Sequence, residues 1–289
     1  MKRLLIILIG MLTFMPAKSQ DWTLADGFPD GFVVYSLGFD GQLVYATGYS
    51  MPPSFSTLFA SKNAGKDWEE VCSIPDVSAG SILVSEKRLV VAGYSGEEYV
   101  LFYSDDKGKE WTLASGYLGS FLTSSLIKSG ANLIAAGAMT DHGRNSYGAL
   151  LVSSDNGDTW KEKRLPEEFT TVTSAAVSGN ALILSGYGSE GFFVACTPDD
   201  GQTWEMSDIK VPLVFIAGIC GTPDAVYLVG RKNDGTSVVL VSKDGGASFS
   251  LESSLSEGIF VRGVFAGSGR LFLTAFDSDQ RPIVVYRSL

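Results

Sequence analysis

The stretch at residues 153–160 reads SSDNGDTW, and it recurs with small changes along the chain. Aligned on the closing aromatic residue, the copies are SKNAGKDW (61–68), SDDKGKEW (104–111), SSDNGDTW (153–160), TPDDGQTW (197–204) and SKDGGASF (242–249). Their starts lie 43, 49, 44 and 45 residues apart. A motif repeated at a nearly constant period of this length is typical of propellers and other repeat folds.

Each copy has the composition of a tight turn between two strands. Its third residue is Asn or Asp, which can accept backbone N–H bonds, and its fifth is always Gly, as expected where φ is positive. Apolar runs such as residues 149–152 precede the copies, which indicates a strand, a turn and a second strand. A catalytic carboxylate would not need five copies, so we interpret the motif as structural. The residues assigned to it are Asn63, Gly65, Trp68, Asp106, Gly108, Trp111, Asp155, Gly157, Trp160, Asp199, Gly201, Trp204, Asp244, Gly246 and Phe249.

The pattern S-x-D-x-G-x-T-W resembles the BNR or Asp-box repeat, and the resemblance runs through the chain from end to end. That family includes sialidases, family 74 glycoside hydrolases, sortilin-type receptors and a photosystem assembly factor. The resemblance implies a β-propeller in which each box lies at the hairpin between the third and fourth strands of a blade. It implies no single function.

Counting the remaining strands predicts six blades. Six strongly apolar runs mark the second strands, namely LVYATGY, LVVAGY, LIAAGA, LILSGY, VYLVGR and LFLTAF, beginning at residues 43, 89, 133, 182, 226 and 271. Residues 21–24 (DWTL) match 110–113 (EWTL), and residues 282–289 (PIVVYRSL) read as a third strand without its box. We therefore predict an all-β, six-bladed β-propeller of four-stranded antiparallel blades, closed by pairing of an N-terminal fourth strand with the C-terminal strands. Closure of this kind removes open sheet edges.

The N-terminal residues are typical of a secretory signal peptide. A basic start is followed by an apolar run at residues 4–15 and by Ala17-Lys18-Ser19, which has the small-x-small form of a cleavage site. We predict that residues 1–19 are a signal peptide that is removed and that residues 20–289 form a single propeller domain. The mature protein is then expected in the periplasm or outside the cell, without a membrane span.

Charge and composition argue against several kinds of partner. The net charge of the chain is −10, and removal of Lys2, Arg3 and Lys18 would take it to −13, which disfavours nucleic acid and anionic membranes. With a single histidine and no CxxC motif, the chain is not expected to bind a metal or a cofactor. Cys72, Cys196 and Cys220 are interpreted as buried small side chains rather than as a disulfide framework. We expect a monomer.

Candidate ligand-binding residues come from the end of the propeller opposite the boxes. The residues that end the second strands, read in register, are Tyr49, Tyr94, Ala138, Tyr187, Arg231 and Phe276. Aromatic rings and an arginine could bind a sugar or a peptide by stacking and charge-assisted hydrogen bonds, or they could simply seal the ends of the blades. Arg262 lies near the start of the first strand of the sixth blade and could point toward the channel.

Three loops at the same end offer further candidates. The loop DHGRNSYG (141–148) is the most varied chemically and carries Asp141, His142 and Arg144. The loop MPPSFS (51–56) is rich in proline, and Arg281 lies in the last loop of this kind. Each of these residues could equally be a solvated loop residue.

Two functions remain open from the sequence. A sialidase-like glycosidase would need three arginines that clamp a carboxylate, but no arginine occurs between Arg3 and Arg88, upstream of and around the first box. Another glycosidase would need two carboxylates about 5–10 Å apart, and nothing selects a pair among Asp30, Glu97, Glu98, Glu167, Glu190, Asp277 and Asp279. The favoured interpretation is a non-catalytic exported propeller that binds an extracellular glycan or protein through these loops.

Overall fold

The computed structural model describes residues 22–50, 56–74, 77–96, 98–116, 119–141 and 145–289. The predicted signal peptide, residues 51–55 of the proline-rich loop, Glu97, His142 and Arg144 lie outside the described residues. Within them the chain forms 25 β-strands in six sheets. None of the described residues belongs to a helix with the length and apolar character required to cross a membrane.

The first three blades follow one another along the chain after a short opening strand, β1 (Thr23–Leu24). Each blade is an antiparallel meander of four strands. Blade one comprises β2 (Phe32–Asp40), β3 (Leu43–Ser50), β4 (Ser56–Ser61) and β5 (Glu69–Ile74); blade two comprises β6 (Ser78–Ser85), β7 (Arg88–Ser95), β8 (Glu98–Ser104) and β9 (Thr112–Leu113); blade three comprises β10 (Phe121–Ser129), β11 (Asn132–Asp141), β12 (Asn145–Ser153) and β13 (Lys161–Arg164).

The last three blades repeat the meander, with one additional strand in blade five. Blade four comprises β14 (Phe169–Ser178), β15 (Ala181–Gly188), β16 (Gly191–Thr197) and β17 (Glu205–Met206); blade five comprises β18 (Asp208–Ile209), β19 (Phe215–Gly221), β20 (Val226–Arg231), β21 (Ser237–Ser242) and β22 (Ser248–Ser254); blade six comprises β23 (Phe260–Gly267), β24 (Arg270–Phe276), β25 (Pro282–Ser288) and β1.

Blade six closes the ring as the sequence predicts. Thr23 pairs with Tyr286 and Leu24 with Val285, so both ends of the described chain contribute to one sheet. The backbone N–H of Ala25 also donates to the carbonyl of Val284 at 2.8 Å. The first strands of the six blades lie side by side around a central channel. The predicted six-bladed, all-β propeller with its shared last blade is therefore confirmed.

The hydrophobic core lies between neighbouring blades. Val90 and Leu101 of blade two, for example, pack with Leu133 and Leu151 of blade three, and all four side chains are buried. Equivalent clusters occupy the other blade interfaces. Because each apolar face is covered by the next blade, the ring depends on every interface.

Each of the five copies of the recurring motif forms a hydrogen-bonded turn. In the third copy the Ser153 Oγ accepts from the backbone N–H of Gly157 at 2.8 Å, and the Asp155 Oδ1 accepts from the N–H of Thr159 at 2.9 Å. Two consecutive residues have positive φ, namely Asn156 at 58° and Gly157 at 95°. The fourth-position residues of the other copies share this conformation: Ala64, Lys107, Asp200 and Gly245.

Within the described residues blade six has no such turn, and Arg287 occupies its place. Arg287 pairs with Leu271 in the register at which the other third strands carry the first Ser or Thr of the motif. Its guanidinium lies 5.3 Å from the Trp22 ring and 5.7 Å from the Tyr227 ring, and its Nη2 donates to the Glu252 carboxylate at 2.6 Å. Trp22 stands where the motif ends elsewhere. The Arg287 side chain thus connects β25 with Trp22, the residue that precedes β1, whereas in the other blades a covalent turn joins the third and fourth strands.

Fourth strands alternate around the ring in length and in the connection that they make to the next blade. They are long in blades one, three and five and only two residues long in blades two, four and six. After each short fourth strand the chain crosses to the next blade and makes a parallel pairing there, as in Asp26 with Asp67, Ser115 with Thr159, and β18 with β22. The crossing gives blade five its extra strand, which the sequence analysis did not predict. The six blades are therefore tied in three pairs.

A ring of serine hydroxyls joins the first strands of blades one to five. Each serine follows a β-bulge and accepts a hydrogen bond from a backbone N–H of the next blade, at 3.0–3.3 Å. We call this set the serine collar, and it consists of Ser36, Ser81, Ser125 and Ser174. Blades five and six carry Gly218 and Gly263 at the equivalent positions.

Candidate functional site

One end of the propeller carries the connections from second to third strands and from fourth strands to the next blade, and we call it the loop face. The repeated turns lie at the opposite end. All six residues that the sequence places at the ends of the second strands occupy one register at the loop face. Their first-strand partners are equivalent as well, for example Val33 for Tyr49 and Phe260 for Phe276. Ala138 is buried, whereas Tyr94 and Tyr187 are 42% and 44% exposed.

The first strand of every blade has a β-bulge just below this register. The bulge shifts the pairing by one residue and turns that residue toward the mouth of the central channel at the loop face. One residue of each blade is placed in this way, and all six line the channel. We call them the bulge residues: Tyr35, Gly80, Ser124, Thr173, Ala217 and Arg262.

The structure brings four of the predicted residues into one continuous arc. The Arg231 guanidinium lies 5.7 Å from the Phe215 ring and 6.0 Å from the Phe260 ring. Phe260 pairs with Phe276 on the neighbouring strand. The members of this aromatic–arginine arc, in order around blades five, six and one, are Phe215, Arg231, Phe260, Phe276, Arg262, Tyr35 and Tyr49.

The second half of the arc crosses from blade six to blade one. The Arg262 guanidinium lies 5.6 Å from the Phe276 ring, and the Tyr35 and Tyr49 rings are 5.3 Å apart. Arg262 and Tyr35 also line a small cleft of about 50 Å³ between the two blades. The arc therefore combines stacking surfaces with two cations.

Tyr35 is the principal residue that the sequence analysis missed. Partial burial and a hydrogen bond with Tyr49 raise the pKa of Tyr35 to about 12, although the nearby Arg262 charge opposes this shift. Tyr35 therefore stays protonated near neutral pH, and its hydroxyl can donate a hydrogen bond. Pairs of small or polar residues at the other bulges, such as Gly80-Ser81 and Ser124-Ser125, were the only sequence sign of this position.

The charged loop residues near the arc largely neutralise one another. Arg281 donates to Asp277 at 2.9 Å and to Asp279 at 2.7 Å, and Lys232 lies 3.0 Å from Asp234. The guanidinium groups of Arg231 and Arg262 make neither a hydrogen bond nor an ion pair with any residue in the described parts of the chain. Their guanidinium groups are thus the cations that this part of the loop face offers to a ligand.

Tyr94 and Tyr187 belong to separate aromatic pairs. The rings of Tyr94 and Tyr99, on the second and third strands of blade two, are 5.3 Å apart. Tyr187 faces Phe192 across the strand pair of blade four, and Phe192 is 38% exposed. These pairs lie on blades two and four, beyond the two ends of the arc, so the six predicted residues do not form one cluster.

The remaining candidates are placed only in part. Asp141 ends β11, where its backbone pairs with Asn145, and Arg144 lies outside the described residues. Among the carboxylates considered for catalysis, Asp277 accepts the backbone N–H of Arg281 at 2.9 Å and also binds its guanidinium. These interactions hold the pKa of Asp277 below its usual value. Asp277 is therefore ionised at neutral pH.

The central channel contains a cavity of about 350 Å³. At the loop face it is bounded by the bulge residues, and below them it is lined by apolar side chains that include Leu83, Ile127 and Phe265, and by Lys128, which donates to the Ser85 Oγ at 3.3 Å. The cysteines are all free. No group of His, Cys, Asp and Glu suited to hold a metal ion occurs in the described ranges.

Comparison with solved structures supports the fold. No protein-family model matches the chain, and no curated protein sequence matches it. A Hadza microbial sialidase superposes with a TM-score of 0.68 at 17% identity over 90% of this chain and 66% of that one. The chain therefore spans 66% of the length of that sialidase.

Two further structures match over nearly their whole length. A protein of unknown function from Dyadobacter fermentans has a TM-score of 0.67 at 13% identity, covering 95% of this chain and all of that one. YCF48 bound to a D1 peptide has a TM-score of 0.56 at 15% identity, covering 93% and 95%. At these identities the similarity shows a sialidase-like propeller fold alone.

Proposed function

We propose that the protein is exported and that it binds a glycan or protein ligand on its loop face without catalysing a reaction. The observation that carries this proposal is the aromatic–arginine arc. Arg231 and Arg262 lie against aromatic rings and have no carboxylate partner in the described chain, so charge-assisted hydrogen bonds remain available to a ligand. The adjoining rings supply stacking surfaces. We favour a glycan because sugar rings stack on aromatic faces and sugar hydroxyls pair with arginine.

The test is a glycan array and a peptide array probed with residues 20–289. For any ligand found, we expect Arg231→Gln to weaken binding about tenfold or more, since a hydrogen bond to a charged group contributes roughly 1.5–3 kcal/mol. Phe276→Leu should weaken it by about two- to tenfold, since stacking on an aromatic ring contributes roughly 0.5–1.5 kcal/mol. Arg164→Gln is the matched control, because Arg164 also stacks on a ring, that of Tyr147 at 4.4 Å, but lies on the outer strand of blade three. A ligand that binds the Arg231→Gln and Phe276→Leu variants as tightly as it binds the wild type would contradict the proposal.

The alternative is a glycoside hydrolase, which the shared fold with a sialidase makes worth testing. A general acid on this fold would need a carboxyl group with a raised pKa. The lowered pKa of Asp277 is the opposite of this requirement. A panel of fluorogenic glycosides decides the matter: turnover that is lost on changing a loop-face Asp or Glu to its amide would replace the binding role with catalysis.

A further inference from the structure

The bulge residues divide the channel mouth into an open side and a walled side. On blades two to five they are small, namely Gly80, Ser124, Thr173 and Ala217. On blades six and one they are Arg262 and Tyr35, whose side chains are large and polar. The opening therefore lies off-centre, and among these six positions the charge is on Arg262; Lys128 lines the same cavity further down and donates to the Ser85 Oγ at 3.3 Å.

The cavity below this opening is large enough to receive a sugar unit. Its volume of about 350 Å³ is at the small end of ligand pockets, which range from roughly 300 to 1,000 Å³. The lining follows the first strands from the bulge residues down to Val84, Lys128 and Ala266, so the cavity runs along the propeller axis. A chain that binds here would enter by its end, because an internal segment could not follow the axis.

The polar groups at the mouth suit an acidic sugar. Arg262 provides one cation, which matches one carboxylate, and the Tyr35 hydroxyl lies beside it. Across the opening the Ser124 hydroxyl has no partner in the described chain, and the Thr173 hydroxyl donates to the Ser185 carbonyl at 3.2 Å while its lone pairs stay free to accept. Sugar hydroxyls can pair with both of these groups.

We propose that the channel mouth receives the end of an acidic glycan, with one uronic-acid unit entering along the axis and its carboxylate bound by Arg262. This inference rests on the glycan-binding form of the proposed function and deepens it. The arc would then hold the next sugar units at the loop face. Recognition is end-on, so a monomeric uronide should bind by itself.

The experiment compares methyl β-glucuronide with methyl β-glucoside by calorimetry or ligand-observed NMR. We expect the wild-type protein to favour the glucuronide about tenfold and Arg262→Gln to abolish that preference. Gly80→Phe should block both probes, because a Cβ at Gly80 has no atom nearer than 4.0 Å and the added ring can occupy the opening. Arg281→Gln, which removes a loop arginine already paired with Asp277 and Asp279, should bind as the wild type does.

Each outcome is decisive. If Gly80→Phe binds the glucuronide normally, or if Arg262→Gln keeps the preference, the inference is wrong; Ala217→Leu is a second plug should Gly80→Phe fail to fold. A longer oligosaccharide that Arg231→Gln releases but Gly80→Phe retains would refute end-on binding and leave the proposed function intact. Arrays without any ligand would refute the proposed function, whereas the two methyl glycosides still test the channel directly.

Discussion

At the scale of single residues, the serine collar is incomplete at Gly218. A Cβ there would lie 3.7 Å from both the Ser174 Oγ and the Val264 backbone nitrogen, which is ordinary contact. A serine hydroxyl could therefore accept the Val264 N–H, as Ser174 accepts that of Ile219. We predict that Gly218→Ser raises the free energy of unfolding by about 1 kcal/mol, from the hydrogen bond and the reduced entropy of the unfolded chain. Chemical denaturation measures this change.

Gly263 is the matched comparison for that substitution. A Cβ at Gly263 would lie 3.0 Å from the Thr274 Oγ1 and 3.1 Å from the Phe265 ring, so these neighbours would have to move. We expect Gly263→Ser to give less stability than Gly218→Ser. Equal gains at both positions would mean that the hydroxyl is not responsible.

The turn aspartates give the protein a defined dependence on pH. Hydrogen bonds from Thr159, Thr203 and Ser248 lower the pKa values of Asp155, Asp199 and Asp244 to about 2.

Because the unfolded pKa of aspartate is about 3.9, the stabilisation is complete above that pH and is lost as the pH falls toward 2. We predict that the thermal midpoint declines between pH 4 and pH 2. Replacing Asp155, Asp199 and Asp244 by Asn should lower the thermal midpoint at pH 7 and reduce that decline. The control is Asp224→Asn, at an exposed position outside the repeated motif turns, which should leave the dependence of the midpoint on pH unchanged. A steep decline that persists in the triple variant would contradict the assignment.

The glycines at the fifth motif position are predictable directly from the sequence, but other residue-level features are not. The left-handed conformation of the fourth position, shared by Ala64 and Asn156, has no common residue type that would reveal it. Tyr35 was missed because a bulge changes the side-chain alternation of a strand without changing its apolar pattern. Its position depends on strand register, which a single sequence does not show.

At the scale of elements, Arg88 ties blade two to the turn of blade three. Its guanidinium donates to Asp105 at 2.7 Å, to Asp158 at 2.5 Å and to the Asn156 carbonyl at 3.1 Å. We predict that Arg88→Met lowers the free energy of unfolding by about 1.5–3 kcal/mol, the range for hydrogen bonds to charged groups. Lys87→Met, at the exposed neighbouring position, should change it by less than about 0.5 kcal/mol, as surface substitutions usually do. Similar losses in both variants would mean that the tie contributes nothing specific.

The existence and order of the strands were predictable, because apolar runs and turn motifs alternate along the whole chain. The alternation in the length of the fourth strands was not predicted. A sign of it was present: the third residue after the closing tryptophan is small where the strand is short, as in Ala25, Ala114 and Ser207. Small residues at these points precede the crossing to the next blade.

At the scale of the whole molecule, the closure of the ring depends on Arg287. Arg287 is 8% exposed and its ion pair with Glu252 lies between blades five and six. Removing one partner of a buried pair costs about 3–5 kcal/mol, and the Glu252 side chain keeps 18% of its exposure. We therefore predict that Arg287→Met destabilises the protein by about 2–3 kcal/mol, at or below the low end of that range.

A double variant separates the charge from the packing. Arg287→Met combined with Glu252→Gln removes the unpaired carboxylate, so it should recover part of the stability that the single variant loses. The free energies of unfolding from denaturant titrations give the coupling. If the double variant is less stable than the single one, the ion pair is not the source of the effect.

The architecture could be predicted from the sequence because it is repeated, whereas the candidate site could be predicted only in part. Tyr49, Arg231 and Phe276 were found from their shared register, since that register is set by the repeat. Their grouping with Arg262 and Tyr35, and the separation of Tyr94 and Tyr187 from them, depend on which blades are neighbours across the closure and on the bulges. Features that distinguish one blade from another do not recur along the sequence, so the repeat does not predict them.

The parallel crossings imply that the propeller has preferred places to be cut. With Leu289 joined to Trp22 by a short linker, new ends opened between blades three and four should be tolerated, because the long strand β13 stays with its own blade. New ends between blades two and three would cut the connection that follows β9 and that holds Ser115 in its pairing with Thr159. Circular permutants of the first kind should fold and those of the second should express poorly, so the practical building block for rearranging this protein is a two-blade module of roughly 90 residues, twice the repeat period.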